Sequence, residues 1–213
     1  IMIVIPHAHL PAAPVLHAAV GERYINICKF LQKQGIQIVA IKENPYLDKR
    51  LACHADLSFC PLGGGKGLLA KGQPEKELTA LGYALTAVDV KGAYPHDCAL
   101  NAVVLPQKAI FNPKASGKIA EYCQKNNKEA IAVRQGYAKC NAAVVNANAI
   151  ITSDAGIFQA CTARGMDVLH IRPGYIALPG FDTGFIGGCC GLLDKDVLFF
   201  TGQLQYHPDG DAI

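Results

Sequence analysis

The stretch Cys140–Arg172, CNAAVVNANAIITSDAGIFQACTARGMDVLHIR, reads as one complete structural unit. Asn141–Val145 and Ala149–Thr152 are short apolar runs on either side of Asn146, Ala147 and Asn148. Asn tolerates left-handed turn geometry, so the two runs read as a hairpin. Ser153 and Asp154 follow, and a short side-chain oxygen there can accept an unpaired N–H of a helical first turn. Ile157, Phe158, Cys161 and Met166 supply an apolar face, and Gly165 suits the left-handed end of a helix. Met166–Ile171 is aliphatic and reads as a strand. The order is strand, strand, helix, strand.

The same order recurs on both sides. Upstream, the run from Asn101 meets a turn at Pro106–Lys108. A helix is expected over Ser116–Asn126 and a strand over Ala130–Arg134. Before that, the run from Ser58 meets the turn Gly63–Gly65, followed by a helix over Pro74–Leu81 and a strand over Tyr83–Val90. Downstream, the run from Cys189 meets Asp194 and Lys195. The first strands thus begin at Ser58, Asn101, Asn141 and Cys189, at a period of roughly 40 to 50 residues, which indicates repeated supersecondary units. At the amino end, a strand Ile1–Ile5, a helix Glu22–Gln34 and a strand Ile36–Ile41 form a unit without its first strand. The last unit looks cut short, with Pro208–Asp211 as the start of its helix. On the repeat period, roughly 30 more residues are expected to follow. The expected fold is therefore α/β, one domain of five ββαβ units spanning approximately 1–50, 51–95, 96–138, 139–180 and 181–213.

Composition narrows the classes. About half of the 213 residues are apolar (51%) and the net charge is only +3, so the chain can bury a sizeable core and is unlike a disordered segment. Charges of both signs are spread along it with no basic-aromatic block, which argues against nucleic acid. No apolar run approaches a membrane span. Nine Cys with no CxxC suit reduced thiols in a cytoplasmic setting better than a disulfide framework. Cys28, Cys60, Cys123 and Cys161 fall in apolar runs and read as small core residues. A homodimer is allowed for. His7, His9 and His17 surround a Pro-rich loop at a spacing that matches no compact ligand motif. Gly63–Gly67, GGGKG, lacks the phosphate-loop spacing and lies between strands, so a hairpin turn is expected.

Polar residues gather just ahead of each first strand. They are His54 and Asp56, then His96 and Asp97, then Lys139 and Cys140, then Asp182 and Thr183. In a ring of similar units these points would converge, and His, Asp, Lys and Cys together can supply a nucleophile, a proton shuttle and a cation-binding carboxylate. Taken one at a time, each reads more simply as a strand cap. Gly184–Gly191, GFIGGCCG, carries glycines that permit close backbone approach and the vicinal pair Cys189 and Cys190. A thiol near a His there would suit a nucleophile.

These motifs, with QGYAKCN (Gln135–Asn141), ITSD (Ile151–Asp154) and GFIGG (Gly184–Gly188), resemble the pentein or guanidine-modifying enzyme superfamily, closest to an uncharacterised family of that fold. The resemblance covers essentially the whole chain. It implies a five-bladed αβ propeller, with the last unit truncated, and a C–N hydrolase or amidinotransferase working through a thiouronium-type intermediate on a small guanidino metabolite. By that resemblance Asp56 matches a guanidinium-binding carboxylate and His96 the proton-transfer histidine. Cys190, with Cys189 beside it, matches the thiolate, although the Gly-Gly to Cys spacing departs from the family's. His54, Asp97, Asp182 and Cys140 complete the expected binding set, Cys140 being a rival nucleophile. No metal or organic cofactor is expected on this reading. A non-catalytic binding protein of the same fold is the alternative, and a metal-dependent hydrolase using His54, Asp56 and His96 a third.

Overall fold

The computed structural model describes residues 6–213. In the first unit, strand β1 (His17–Gly21) leads to helix α1 (Ile25–Lys33) and strand β2 (Gln37–Ile41), and the two strands pair in parallel. The strand directly before the first helix is β1; the expected strand Ile1–Ile5 lies outside the described residues. An Ala-rich HAAVG run carries little β-propensity of its own and gains its strand from pairing with β2.

The second unit begins with a single helical turn, α2 (Ala55–Ser58), and continues through β3 (Phe59–Gly63), β4 (Lys66–Ala70), α3 (Glu75–Ala80) and β5 (Ala84–Val88). The third has a 3-10 turn (His96–Cys98), β6 (Val103–Val104), β7 (Lys108–Phe111), α4 (Gly117–Lys125) and β8 (Glu129–Ala132). The fourth has α5 (Ala138–Asn141), β9 (Ala142–Val144), β10 (Ala149–Thr152), α6 (Ala155–Thr162) and β11 (Asp167–His170). The fifth has a 3-10 turn (Ile186–Cys189), β12 (Cys190–Asp194) and β13 (Val197–Phe200). In each three-stranded sheet the middle strand pairs antiparallel with the first strand and parallel with the third. One topology is therefore used three times, and among the described residues the first and last units show two strands each.

Local signals behave as their chemistry requires. Asp154 is the N-cap of α6, its Oδ1 accepting from the Ile157 N–H at 2.8 Å, and Gly165 follows the helix at φ +72°. The GGGKG stretch is the β3–β4 turn, with Gly63, Gly64 and Gly65 all at positive φ. Some expectations change. Ser58, Asn141 and Cys189 each end a helical turn instead of starting a strand, and Pro208–Asp211 forms hydrogen-bonded turns rather than a helix.

The first and middle strands of the three-stranded sheets read as largely apolar runs because those sheets carry core side chains on both faces, each face against a different neighbouring unit. Ala109 and Phe111 of β7 join a core shared with Leu57, Cys60 and Leu68 of the second unit. Ile110, between them, joins the core that holds Ala142, Val144 and Ile150 of the fourth. Ala143 and Ile151 face the other way, toward Ile186, Leu198 and Phe200 of the fifth. Alternation along a strand sends successive side chains to opposite faces, so here both sets must be apolar. The last unit also meets the first: Phe199 stacks on Phe30 with centroids 5.3 Å apart, and the Val15 N–H donates to Leu193 O at 2.8 Å.

Candidate active site

The helical turns ahead of the first strands bring residues of four units together. At the centre is Cys140, buried on α5. Its Sγ lies 2.9 Å from Asp56 Oδ2 of α2. Ligand atoms of His54, Asp56 and Cys140 all lie within 4.8 Å of one another. His54 is the N-cap residue of α2, half-buried, with its ring edge-on to Tyr24 of the first unit at 6.0 Å.

Asn101 of the third unit, wholly buried, organises this group. Its Oδ1 accepts from the backbone N–H groups of Lys139 at 2.7 Å and Cys140 at 3.0 Å. Both belong to the first turn of α5, which has no capping side chain of its own, so a neighbouring unit supplies the missing acceptor. Asn101 Nδ2 donates to Asp56 O and to Cys140 Sγ, each at 3.2 Å. Lys139 turns toward the fifth unit, its Nζ donating to Gly187 O at 2.8 Å. Gly187 is required there, because a Cβ would collide with the Lys139 and Ala142 carbonyl oxygens. The close approach read into GFIGG is therefore real at Gly187. At Gly188 a Cβ would meet nothing nearer than Cys140 Cβ at 3.9 Å.

Burial, the Asp56 charge and the hydrogen bond to Asp56 push the Cys140 thiol well above its ordinary range, against the opposing Lys139 charge and the Asn101 donor. Cys190 is pushed up to about 12 by burial, again opposed by Lys139. Burial also raises Cys189, whose Sγ donates to Ile186 O at 3.2 Å. Both vicinal cysteines are half-buried and pack against Ala143, Ile151, Ile171 and Ile186. His9, weighed with His7 and His17 as a loop trio without ligand spacing, has an Nε2 sealed from solvent without a partner, and burial followed by the Lys139 charge lowers it to about 3.

The remaining expected residues sit apart from this group. His96 is exposed and is not among the grouped ligands. Asp97 accepts a hydrogen bond from Tyr137 Oη at 2.5 Å, and its Oδ1 is buried without a partner. Asp182 is exposed, beside Phe181, on which the Arg50 guanidinium stacks at 4.1 Å. His7 and His17 are exposed. A separate surface cleft of about 590 Å³ lies at the junction of the third and fourth units, lined by Tyr94, Arg134, Gln135 and Asp154 among others, and includes none of the central group. No helix among the described residues is long and apolar enough to cross a membrane.

Comparison with known proteins assigns a family without an activity. The sequence model of a family of unknown function (DUF6873) matches residues 19–213, so the chain belongs to that family. No curated protein matches it. Among solved structures, one similar chain is the product-bound N-terminal domain of ArgZ, an arginine dihydrolase from the ornithine-ammonia cycle in Cyanobacteria. It is 20% identical with a TM-score of 0.36, over 55% of this chain and 43% of that one. An inosamine-phosphate amidinotransferase from Streptomyces griseus is 16% identical with a TM-score of 0.37, over 61% of this chain and 40% of that one. An agmatine deiminase from C. jejuni is 9% identical with a TM-score of 0.46, over 90% and 80%. The chain thus spans less than half the length of the first two.

Proposed function

We propose that this member of a family of unknown function is a thiol-dependent hydrolase or transferase acting at a C–N bond of a small cationic guanidino or amidine compound, within a pentein-type ring of five units. The observation that carries the reading is the Cys140–Asp56 contact at 2.9 Å with His54 alongside, three chemically competent groups delivered by two different units. The stack of Phe30 on Phe199 supports closure of the ring, since it joins the first unit to the last.

The high proton affinity of Cys140 fits a cationic substrate. An anion beside a thiol disfavours the thiolate, and a cation bound to that anion removes the penalty. A planar guanidinium held on Asp56 by paired hydrogen bonds would do this at the moment of binding. The thiol proton passes to His54 and the sulfur attacks the amidine carbon. The C–N bond then breaks, and the leaving amine takes the proton from His54. Water attacks the resulting thiouronium carbon and gives a proton to His54, and the C–S bond breaks to restore the thiol. Transfer to an amine in place of water gives the transferase outcome.

The test is incubation with a panel of guanidino compounds, reading ammonia, amine or urea release. Release that is lost in Cys140→Ala and kept in Cys189→Ala and Cys190→Ala supports the reading. Loss in Cys190→Ala alone moves the nucleophile to the fifth unit. A protein that binds such compounds without releasing product is the non-catalytic alternative. That alternative has its own support in the buried, hydrogen-bonded state of the Cys140 thiol.

A further inference from the structure

We propose that His54, Asp56 and Cys140 form a binding site for a single zinc-class divalent cation, which competes with the substrate for the same sulfur and carboxylate. One imidazole nitrogen, one carboxylate oxygen and one sulfur already lie within 4.8 Å of one another. A tetrahedral zinc with bonds of about 2.0–2.3 Å needs its ligand atoms roughly 3.3–3.8 Å apart. The Sγ–Oδ2 pair at 2.9 Å would open slightly, and the imidazole would close in.

Donor chemistry selects the metal. A thiolate with an imidazole and one carboxylate suits zinc or cobalt, whereas magnesium and calcium take oxygen sets. The charges balance: the cation displaces the thiol proton to solvent, and thiolate plus carboxylate then neutralise it. Asn101 Nδ2, donating to the sulfur at 3.2 Å, is placed to orient a bound thiolate, as outer hydrogen bonds do around metal ligands. Three protein ligands leave a fourth position open on the half-buried side of His54 and Asp56. His96, part of the metal reading from sequence, is replaced in this set by Cys140.

Metal in this place ties up the sulfur that the proposed reaction needs. That inhibitory consequence rests on the thiol-hydrolase reading; the binding itself does not. Chelator-treated full chain is titrated with Co²⁺, followed by Zn²⁺. One equivalent of cobalt should give a near-ultraviolet thiolate-to-cobalt band with the visible bands of a four-coordinate ion, and zinc should displace both. The thiolate band should vanish in Cys140→Ser. Affinity should fall at least tenfold in His54→Ala, whose half-buried side chain can be removed without opening the core, and should be unchanged in Cys190→Ser. No band in the unmodified protein, or a band undiminished in Cys140→Ser or His54→Ala, overturns the proposal. Both readouts are independent of any catalytic assay, so metal binding is decided even if the protein turns over no guanidino compound.

Discussion

Asn101 holds Cys140 at two points: its Oδ1 accepts from the Cys140 backbone N–H at 3.0 Å, and its Nδ2 reaches the Cys140 sulfur at 3.2 Å. The same carboxamide bonds Lys139 N and Asp56 O, so one buried side chain ties three units together. Asn101→Ala should cost about 3 kcal/mol, since two first-turn N–H groups and a carbonyl lose their partner inside the protein. Asn101→Asp should also destabilise, because its outer oxygen would face the Asp56 carbonyl. Urea unfolding midpoints check both.

Asp56 and Lys139 act on the Cys140 thiol with opposite sign. Asp56→Asn removes the anion that discourages ionisation, so the Cys140 labelling profile with iodoacetamide should move to lower pH. Lys139→Met removes the favourable cation and should move it to higher pH. Each unit of displacement changes the thiolate fraction about tenfold at a given pH below the midpoint. Mass-spectrometric mapping of the peptide carrying Cys140 separates it from the other eight cysteines.

Two adjacent glycines should differ sharply. Gly187→Ala places a methyl group against the carbonyl oxygens of Lys139 and Ala142 and should cost about 1–3 kcal/mol, the usual penalty of overpacking. Gly188→Ala meets only ordinary contact with Cys140 and should be tolerated. Thermal unfolding of the pair separates a packing requirement from a general need for chain freedom.

The buried thiols predict alkaline weakness. Burial pushes Cys60 and Cys190 up to about 12 and Cys161 to about 11, from a reference of 9.0. A group whose folded value is raised binds its proton more tightly in the native state. Its contribution is full below pH 9 and is lost as pH rises from there toward 11 or 12. Each such thiol contributes a slope of up to about 1.4 kcal/mol per pH unit in that window. Urea titrations between pH 8 and pH 11, compared with Cys60→Val, should show a steep loss that is shallower in the variant.

The repeat is legible because each of the last four units carries its own turn signal between two apolar runs, and those signals are local. The convergence of Asp56 and Cys140 follows from treating the strand starts as equivalent. Asn101 escapes a sequence reading because it passes for the first residue of an apolar strand, and its partners lie 38 to 45 residues away. A second Asn at the matching place, Asn141, is the available clue that the position is special. His96 draws attention ahead of His54 because it stands next to Asp97. In the structure Asp97, not His96, occupies the place relative to Asn101 that His54 holds relative to Ser58, and His96 turns to solvent. A 3-10 turn stands there in place of an α-turn, and the two are not separable by residue pattern alone.

The short turns Ala55–Ser58, His96–Cys98, Ala138–Asn141 and Ile186–Cys189, two of them α-helical and two 3-10, present different side chains ahead of the first strands of four units. Such a layout separates scaffold from chemistry. Exchanging an outward side chain such as His54 changes the reagent offered at the site, whereas a packed position such as Gly187 does not admit exchange. Relatives of this chain can therefore diverge in what they bind or transform through a handful of point changes, each confined to its own module.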